Sequence, residues 1–472
     1  MKSRLAVLLP AVLATACAVG PNYRRPALNV PEKVRGEAGP TQAASLADQP
    51  WWQLFNDDTL RALIDDALKN GYDVRLAVAR VEEARANAGI ARSQFFPQIQ
   101  YSAQWSRSRQ AQELAPGIGT IDLHDVNLGL SWELDLWGRI RRLSEAARAQ
   151  YLATEEARRG VLLSLVSDVA TRYFQLRELD TELDVAKRTT TAFQQTYDLF
   201  RRRFEAGEAS GLETASAEAS LANVAARVPQ LESQIVALEN EINLLLGKNP
   251  ADVRRGAALT DQFLPPEVPP GLPSDLLRRR PDLREAEQQL VAANANVGAA
   301  VADFFPRISL TGAFGGVSTQ VSDLFGVGKT WSIAAGLAGP LFTGGRLRNQ
   351  YDARVAQWEQ AKVLYERAVT NAFGETSSAL VAHERLARAE EQQARTVAAY
   401  QEAVKLSNQR YVAGLASYLD VLQAEQQLYP AENALAQIRL NRLANFVQLY
   451  KALGGGWSVP DPDWVRAAST PR

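Results

Sequence analysis

The chain is an internal duplication, and that limits it to folds built from two similar halves. Sliding the sequence by 209 positions sets Asp73-Val74-Arg75 on Asp282-Leu283-Arg284 and Phe95-Phe96-Pro97 on Phe304-Phe305-Pro306. Over residues 73–99, 12 of 27 positions are identical, where chance in an Ala-rich chain gives about two or three. Further on, the displacement becomes 207: Gly138-Arg139 falls on Gly345-Arg346, and the run from Arg203 to Ser210 falls on Arg410 to Ser417. A proline-rich connector over 264–273 joins the halves and can be neither helix nor central strand. A repeat of about 200 residues is too long for a solenoid unit and suits one lobe of a larger body.

Each half predicts the order helix, two strands, very long helix, turn, helix. The first helix is expected from about Thr59 to Gln94, ended by Pro97. Between Arg139 and Phe204 there is no proline and only one glycine, Gly160. Apolar residues there recur every three or four positions, which predicts one rod of about 100 Å. In the returning segment Val224, Val228, Leu231, Ile235, Leu238, Ile242 and Leu245 keep alternating spacings of four and three, the pattern of coiled-coil packing.

The segments between the helices alternate with period two. Ile99, Tyr101, Ala103 and Trp105 interleave with Gln and Ser; Val126, Leu128, Leu130, Trp132 and Leu134 interleave with Asn127, Gly129, Ser131 and Glu133. The second half repeats this less cleanly through Ile308–Phe314 and Trp331–Leu341. About ten alternating residues with aromatics near the ends suit a transmembrane strand. A solvent-facing antiparallel sheet shows the same alternation. Four strands cannot close a barrel, and open edges cannot lie in hydrocarbon. If these strands span a membrane, several copies must share one barrel of 8, 12 or 16 strands, a multiple of four for each copy added.

Composition narrows the classes. Lys and Arg total 52 against 53 Asp and Glu, a net charge of −1, without the basic excess of an electrostatic nucleic-acid binder. No run of 18 apolar residues predicts a membrane-crossing helix, and a β-barrel stays open. Cys17 is the single cysteine, so there is no internal disulfide and no Cys-based zinc site. His124 and His383 stand far apart, and Gly315-Gly316, Gly344-Gly345 and Gly454–Gly456 lack phosphate-cradling spacing. An enzyme, a cofactor and a resident metal are therefore not expected. At the start, Lys2 and Arg4, the apolar stretch Leu5–Ala14 and the small residues before Cys17 form a signal peptide over 1–16. It has a lipoprotein layout, with Ala14 where the usual pattern has Leu.

Taken together, the runs Cys17–Pro26, Trp51-Trp52, Leu134–Arg141, Arg279–Arg284, Phe304–Gly312 and Gly454–Trp457 resemble the TolC-like outer-membrane factors, most nearly the OprM-type (NodT-like) lipoprotein branch. The resemblance implies an α+β membrane protein. Three copies would share a twelve-stranded outer-membrane β-barrel, four strands each, continued by a twelve-helix periplasmic α-barrel. It implies a passive exit channel of a tripartite efflux system for drugs or other small toxic compounds. The partners would be a periplasmic adaptor, an inner-membrane RND-type pump and outer-membrane lipid, with no nucleic acid. A duct for type I protein secretion or metal-ion efflux is the alternative. On this reading Cys17 is acylated and heads an extended segment over 17–58, residues 59–263 and 274–456 are the two repeats, and 457–472 is a tail. Arg203, Gly207, Ser210, Arg410, Gly414 and Ser417 would form periplasmic tips that meet the adaptor. Leu419 matches the branch's apolar constriction, with Asp420, Gln423 and Gln426 as further gate positions. The branch can carry an acid and a base where Gln423 and Gln426 stand, and Asp420 and Glu425 are candidates for an electronegative ring.

Overall fold

In a computed structural model, residues 18–28, 30–31, 33–36, 46–109, 119–262 and 273–455 are described. Cys17, the signal peptide, most of the proline-rich connector and the tail lie outside them. The elements run α1 (Trp51–Leu54), α2 (Asp58–Asn70), α3 (Tyr72–Ser93), β1 (Gln98–Arg109), β2 (Thr120–Leu134), α4 (Arg139–Glu205), α5 (Gly211–Ala225) and α6 (Arg227–Leu245). The second half supplies α7 (Pro273–Arg279), α8 (Pro281–Ala302), β3 (Arg307–Ser318), β4 (Lys329–Ala338), α9 (Arg346–Val412) and α10 (Tyr418–Ala452). The duplication is plain in the two unbroken helices α4 and α9, each of 67 residues.

Two expected helices are split. Gly71 divides the first into α2 and α3: its backbone is extended, and its N–H still donates to the Ala67 carbonyl. A Cβ there would lie 2.5 Å from the Ala67 oxygen and 3.0 Å from the Leu245 oxygen, so only glycine fits the break. The returning segment breaks at Ala226, just before Pro229, whose ring cannot follow a regular helical turn. Within α5 and α6 the expected seam holds, since Val224, Leu231, Ile235, Leu238 and Ile242 are buried.

The described residues fall into two compact units, each drawing on both repeats. One takes in the residues up to Leu28, Arg80–Glu155 and Glu285–Arg367; the other takes in those between Asn29 and Ala79, Glu156–Arg284 and Ala368 onward. The second unit has the main apolar core, in which Trp51, Leu60, Ile64, Tyr173, Phe174, Ile242, Phe446 and Tyr450 are packed. Asp57 ties this core together. Its buried carboxylate caps α2 through the N–H groups of Thr59 and Leu60, and accepts from the Tyr173 hydroxyl, the Ala257 N–H and Gln262 Nε2 at 2.8–3.1 Å.

The first unit holds the sheet and the chain's opening segment. Val19 donates its N–H to the Trp137 carbonyl at 3.0 Å, and Asn294 donates to the Pro21 carbonyl. Arg142 donates to Asn22 Oδ1, and Tyr23 and Arg25 both bind Glu287. Gly20 (φ +91°) passes so close to Gly298 that a Cβ on it would meet the Gly298 Cα at 2.6 Å.

Candidate functional site

The four strands form one antiparallel sheet in the order β1-β2-β3-β4, leaving one edge of β1 and one edge of β4 unpaired among the described residues. Hydrogen-bonded register lines up residues of like character across all four strands. Ile99, Leu130, Gly312 and Ile333 form one row, and Tyr101, Leu128, Phe314 and Trp331 the next. Below them, Trp132, Leu310 and Ala335, and then Leu134, Ile308 and Leu337, continue the same face. The other face is polar or small: Gln98, Ser131, Thr311 and Ala334 in one row, Ser102, Asn127, Gly315 and Thr330 in another. The alternation that only hinted at strands in the sequence is thus a two-sided wall.

Among the described residues nothing covers the apolar side. Tyr101 is 84% exposed, Trp331 73% and Ile333 82%. From Leu134 to Val126 the apolar run along β2 is about 26 Å long, which on a strand tilted by about 45° covers about 18 Å of a bilayer's apolar band of about 25 Å. Aromatic groups sit at its lower end: Trp132 Nε1 donates to the Phe95 carbonyl, Trp137 Nε1 to the Pro306 carbonyl, and Trp137 stacks on Phe305 at 4.7 Å. The repeated Phe-Phe-Pro motif is thereby explained, because each copy turns a helix into a strand at this level. At the other end Arg107 and Asp122 pair across β1 and β2. No helix among the described residues is long and apolar enough to cross a membrane. Gly315 and Gly316, read in the sequence as an isolated pair, allow close backbone approach, with a Cβ on Gly316 only 1.9 Å from the Leu324 carbonyl. His124 lies opposite Trp105 near the end of β2, and His383 lies on α9.

The second unit presents two helical hairpins. α4 ends at Gly207 (φ +77°) and α9 at Gly414 (φ +73°), the left-handed backbone that glycine adopts without strain. Ser210 restarts the chain with a capping box to Glu213, and Ser417 with one to Asp420. Arg410 donates to the Leu415 carbonyl, closing its own turn, and Arg203 approaches Glu208 at 3.8 Å.

Among the gate positions, Leu419 is 58% exposed, and Gln423 is also exposed. The Asp420 carboxylate accepts from the Ser417 N–H at 3.0 Å, so part of its capacity is spent on capping. Gln426 Nε2 donates to Ser220 Oγ at 3.0 Å, linking α10 to α5. Glu425 is half-buried with Oε2 unpartnered, and burial pushes its carboxyl above the ordinary range.

The contacts that join the hairpins were not foreseen. Arg203 Nη1 donates to the Tyr411 hydroxyl at 2.7 Å, and Tyr411 packs edge-on against Tyr418 at 5.0 Å. Tyr418 packs in turn against Phe200 at 4.9 Å and shares a hydrogen bond with Thr196. Burial pushes the Tyr418 hydroxyl up to about 12, so it stays protonated. Tyr411 and Tyr418 flank the second turn seven positions apart, a signal visible in the sequence. Their partners lie more than 200 positions away.

The family model described as outer membrane efflux protein matches residues 63–248 and 272–455. The chain is 37% identical over 469 residues to the solvent efflux pump outer membrane protein SrpC of Pseudomonas putida, covering 97% of this chain and 99% of that one. It is 34% identical to the cation efflux system protein CusC of Escherichia coli, over 95% of this chain and 98% of that one. The open-state MtrE outer membrane channel of Neisseria gonorrhoeae superposes with a TM-score of 0.85 at 34% identity, covering 93% of this chain and 99% of that chain. The helix-rich, duplicated chain with a four-stranded antiparallel sheet therefore has the TolC-like fold that the resemblance implied. This chain belongs to the outer membrane efflux protein family.

Proposed function

We propose that the protein is the outer-membrane exit channel of a tripartite efflux system, in which three copies close a twelve-stranded barrel and pass small toxic compounds outward. The observation that carries this reading is the sheet. It has an uncovered apolar face, a polar opposite face and two open edges. Such a sheet is tolerable in lipid only when neighbouring copies pair its edges. The polar face then lines an aqueous passage, and the chain acts as a passive conduit without catalysis or a cofactor.

An acyl group on Cys17 anchors the chain, whose opening segment is docked at Trp137 beside the end of β2. The hairpin tips at Gly207 and Gly414 face a periplasmic adaptor, which couples the channel to an inner-membrane RND-type pump. Leu419, Asp420, Gln423 and Gln426 line the constriction, and the Arg203–Tyr411–Tyr418 cluster holds the hairpins in its closed arrangement. SrpC is named for solvents and CusC for cations. Of the two, the more similar SrpC favours organic compounds as cargo.

Purified protein reconstituted in planar bilayers tests the conduit, and deletion of the gene in a cell expressing the partner pump tests the cargo. Stepwise ion conductance together with increased sensitivity to organic solvents or antibiotics is expected. Absence of conductance from a membrane-inserted oligomer would sink the channel assignment.

A further inference from the structure

The two open edges carry a register of their own. Along a row of the sheet, Lys329 at the start of β4 stands level with Ala103 on β1, whereas β1 continues to Arg109. At the lower end β1 begins at Gln98, while β3 begins and β4 ends several residues further down. The sheet is a staggered parallelogram, as a wall of tilted strands must be. Closing it on a neighbouring copy requires an even displacement, because an odd one would turn apolar residues into the lumen.

We propose that this displacement is six residues, which pairs Lys329–Ala338 of one copy antiparallel with 100–109 of the next; the proposal rests on the reading that three copies share one barrel. Lys329 then lies opposite Arg109 of the neighbouring copy, Ser332 opposite Ser106 and Ala338 opposite Gln100, so every residue of β4 meets a residue of β1. Level markers select this value. Spread over four strand-to-strand steps, it slopes the membrane plane by about 1.5 residues per strand. On that slope Pro97, Pro306 and Pro340, which bound β1, β3 and β4, fall within about one residue of a common level. Trp105 and Trp331 agree to about half a residue, as do Arg107 and Lys329, so aromatic and charged girdles line up.

A displacement of four separates the tryptophans by about one residue and spreads the prolines over about two, while eight carries Trp331 about two residues past Trp105. Six also gives a strand tilt of about 46°, near the roughly 45° of transmembrane strands. The seam is chemically coherent on both faces. Trp331 meets Arg107 of the neighbour, Ile333 meets Trp105 and Leu337 meets Tyr101 on the lipid side, while Ser332 meets Ser106 and Gly336 meets Ser102 inside. The like-charged pair Lys329 and Arg109 lies beyond the apolar band, where water and salt screen it.

Paired cysteines test the register in the full-length protein in outer membranes. Directly opposite Cβ atoms lie about 4.5–5.5 Å apart and diagonal ones about 7–8 Å, and only the former approach disulfide geometry. After mild oxidation, S332C/S106C should give reducible linked dimers and trimers at least about fivefold in excess of S332C/Q104C and S332C/S108C. T330C/S108C reports the same register at a second site, should the first pair fail to assemble. Single variants show whether any band arises from Cys17. Preferential linkage through Gln104→Cys or Ser108→Cys would overturn the register in favour of four or eight. Absence of linkage from both six-residue pairs, with three copies still present by mass in mild detergent, would overturn the register alone. A monomer in the unmodified protein would overturn the shared barrel itself.

Discussion

Arg203 and Tyr411, 208 positions apart in sequence, meet in a 2.7 Å hydrogen bond that ties the end of α4 to the end of α9. Beside it, Tyr411, Tyr418 and Phe200 form a run of edge-on rings. If the closed pore depends on these hairpins lying together, Tyr411→Phe removes one polar tie and leaves the packing. A partly exposed hydrogen bond of this kind contributes about 1 kcal/mol, so the closed-to-open ratio should fall by roughly fivefold. Open probability in single-channel recordings is the readout, and a value equal to that of the unmodified channel would discard the cluster as a latch.

The buried carboxylate of Asp57 makes a different forecast. Burial pushes its pKa up, but hydrogen bonds from Gln262, Tyr173 and the N–H groups of Leu60 and Ala257 outweigh this and hold it below the ordinary range. A carboxylate with a lowered folded pKa contributes stability above the unfolded value of about 3.9, and loses it as pH falls through the folded value. Asp57→Ala removes an N-cap and leaves Tyr173 and Ala257 without their acceptor, at a cost of about 2–4 kcal/mol at neutral pH. Thermal unfolding followed by tryptophan fluorescence should show a lower midpoint at pH 7 and a shallower decline below pH 4. Equal pH profiles would remove Asp57 from the acid limb.

Glu178 on α4 runs the opposite way. Burial, followed by the charge and hydrogen bond of Glu182 one turn on, pushes it up to about 8. Stability tied to this raised pKa is complete below the unfolded value of about 4.3, and drains away as pH rises through about 8. Glu178→Gln should therefore leave the melting temperature at pH 4 nearly unchanged. At pH 8.5 it should raise stability by about 1–3 kcal/mol, the order of an uncompensated buried charge. Equal gains at both pH values would mean that packing, not ionisation, is responsible.

Adjacent residues on β2 separate the two faces of the wall. Leu128 lies on the apolar side and Asn127 on the polar side. Leu128→Arg places a cation toward hydrocarbon, at a cost of about 2–4 kcal/mol near the midplane. Asn127→Arg should be accommodated in the aqueous passage and alter its ion selectivity. The amount of assembled oligomer in outer membranes reads the first effect and reversal potential the second. Equal assembly of both variants would contradict the assignment of faces.

Gly207 and Gly414 are open around the missing Cβ, so steric crowding is not their constraint. Their positive φ is, and a β-branched residue there costs about 1–2 kcal/mol at each turn. Gly207→Val with Gly414→Val should reduce co-purification with the adaptor, while Gly207→Asn with Gly414→Asn largely preserves it. Normal co-purification of the valine pair would show that adaptor binding tolerates altered turns.

What the sequence disclosed was local or periodic. Pro97 and the period-two runs depend on near neighbours, so both are legible in the sequence. The split at Gly71 was not, because it depends on the Leu245 carbonyl arriving from a distant helix. Ala226 hides its break for another reason: the apolar seam continues past it, and only Pro229 marks the spot. The same limit applied to the tips. Both turns could be placed, but Arg203 with Tyr411, and Thr196 with Tyr418, are pairings that no periodicity announces. Nothing in the sequence singles out Asp57, because its partners outside its own turn lie 116 to 205 positions away.

The contact of Gly20 with Gly298 has a mechanical consequence. With Val19 already bonded to Trp137 and the next residues fastened to Arg142, Asn294 and Glu287, no slack remains between the first described residues and the wall. The opening segment is a splint rather than a leash. A single methyl group at Gly20 would pry the splint loose along its length.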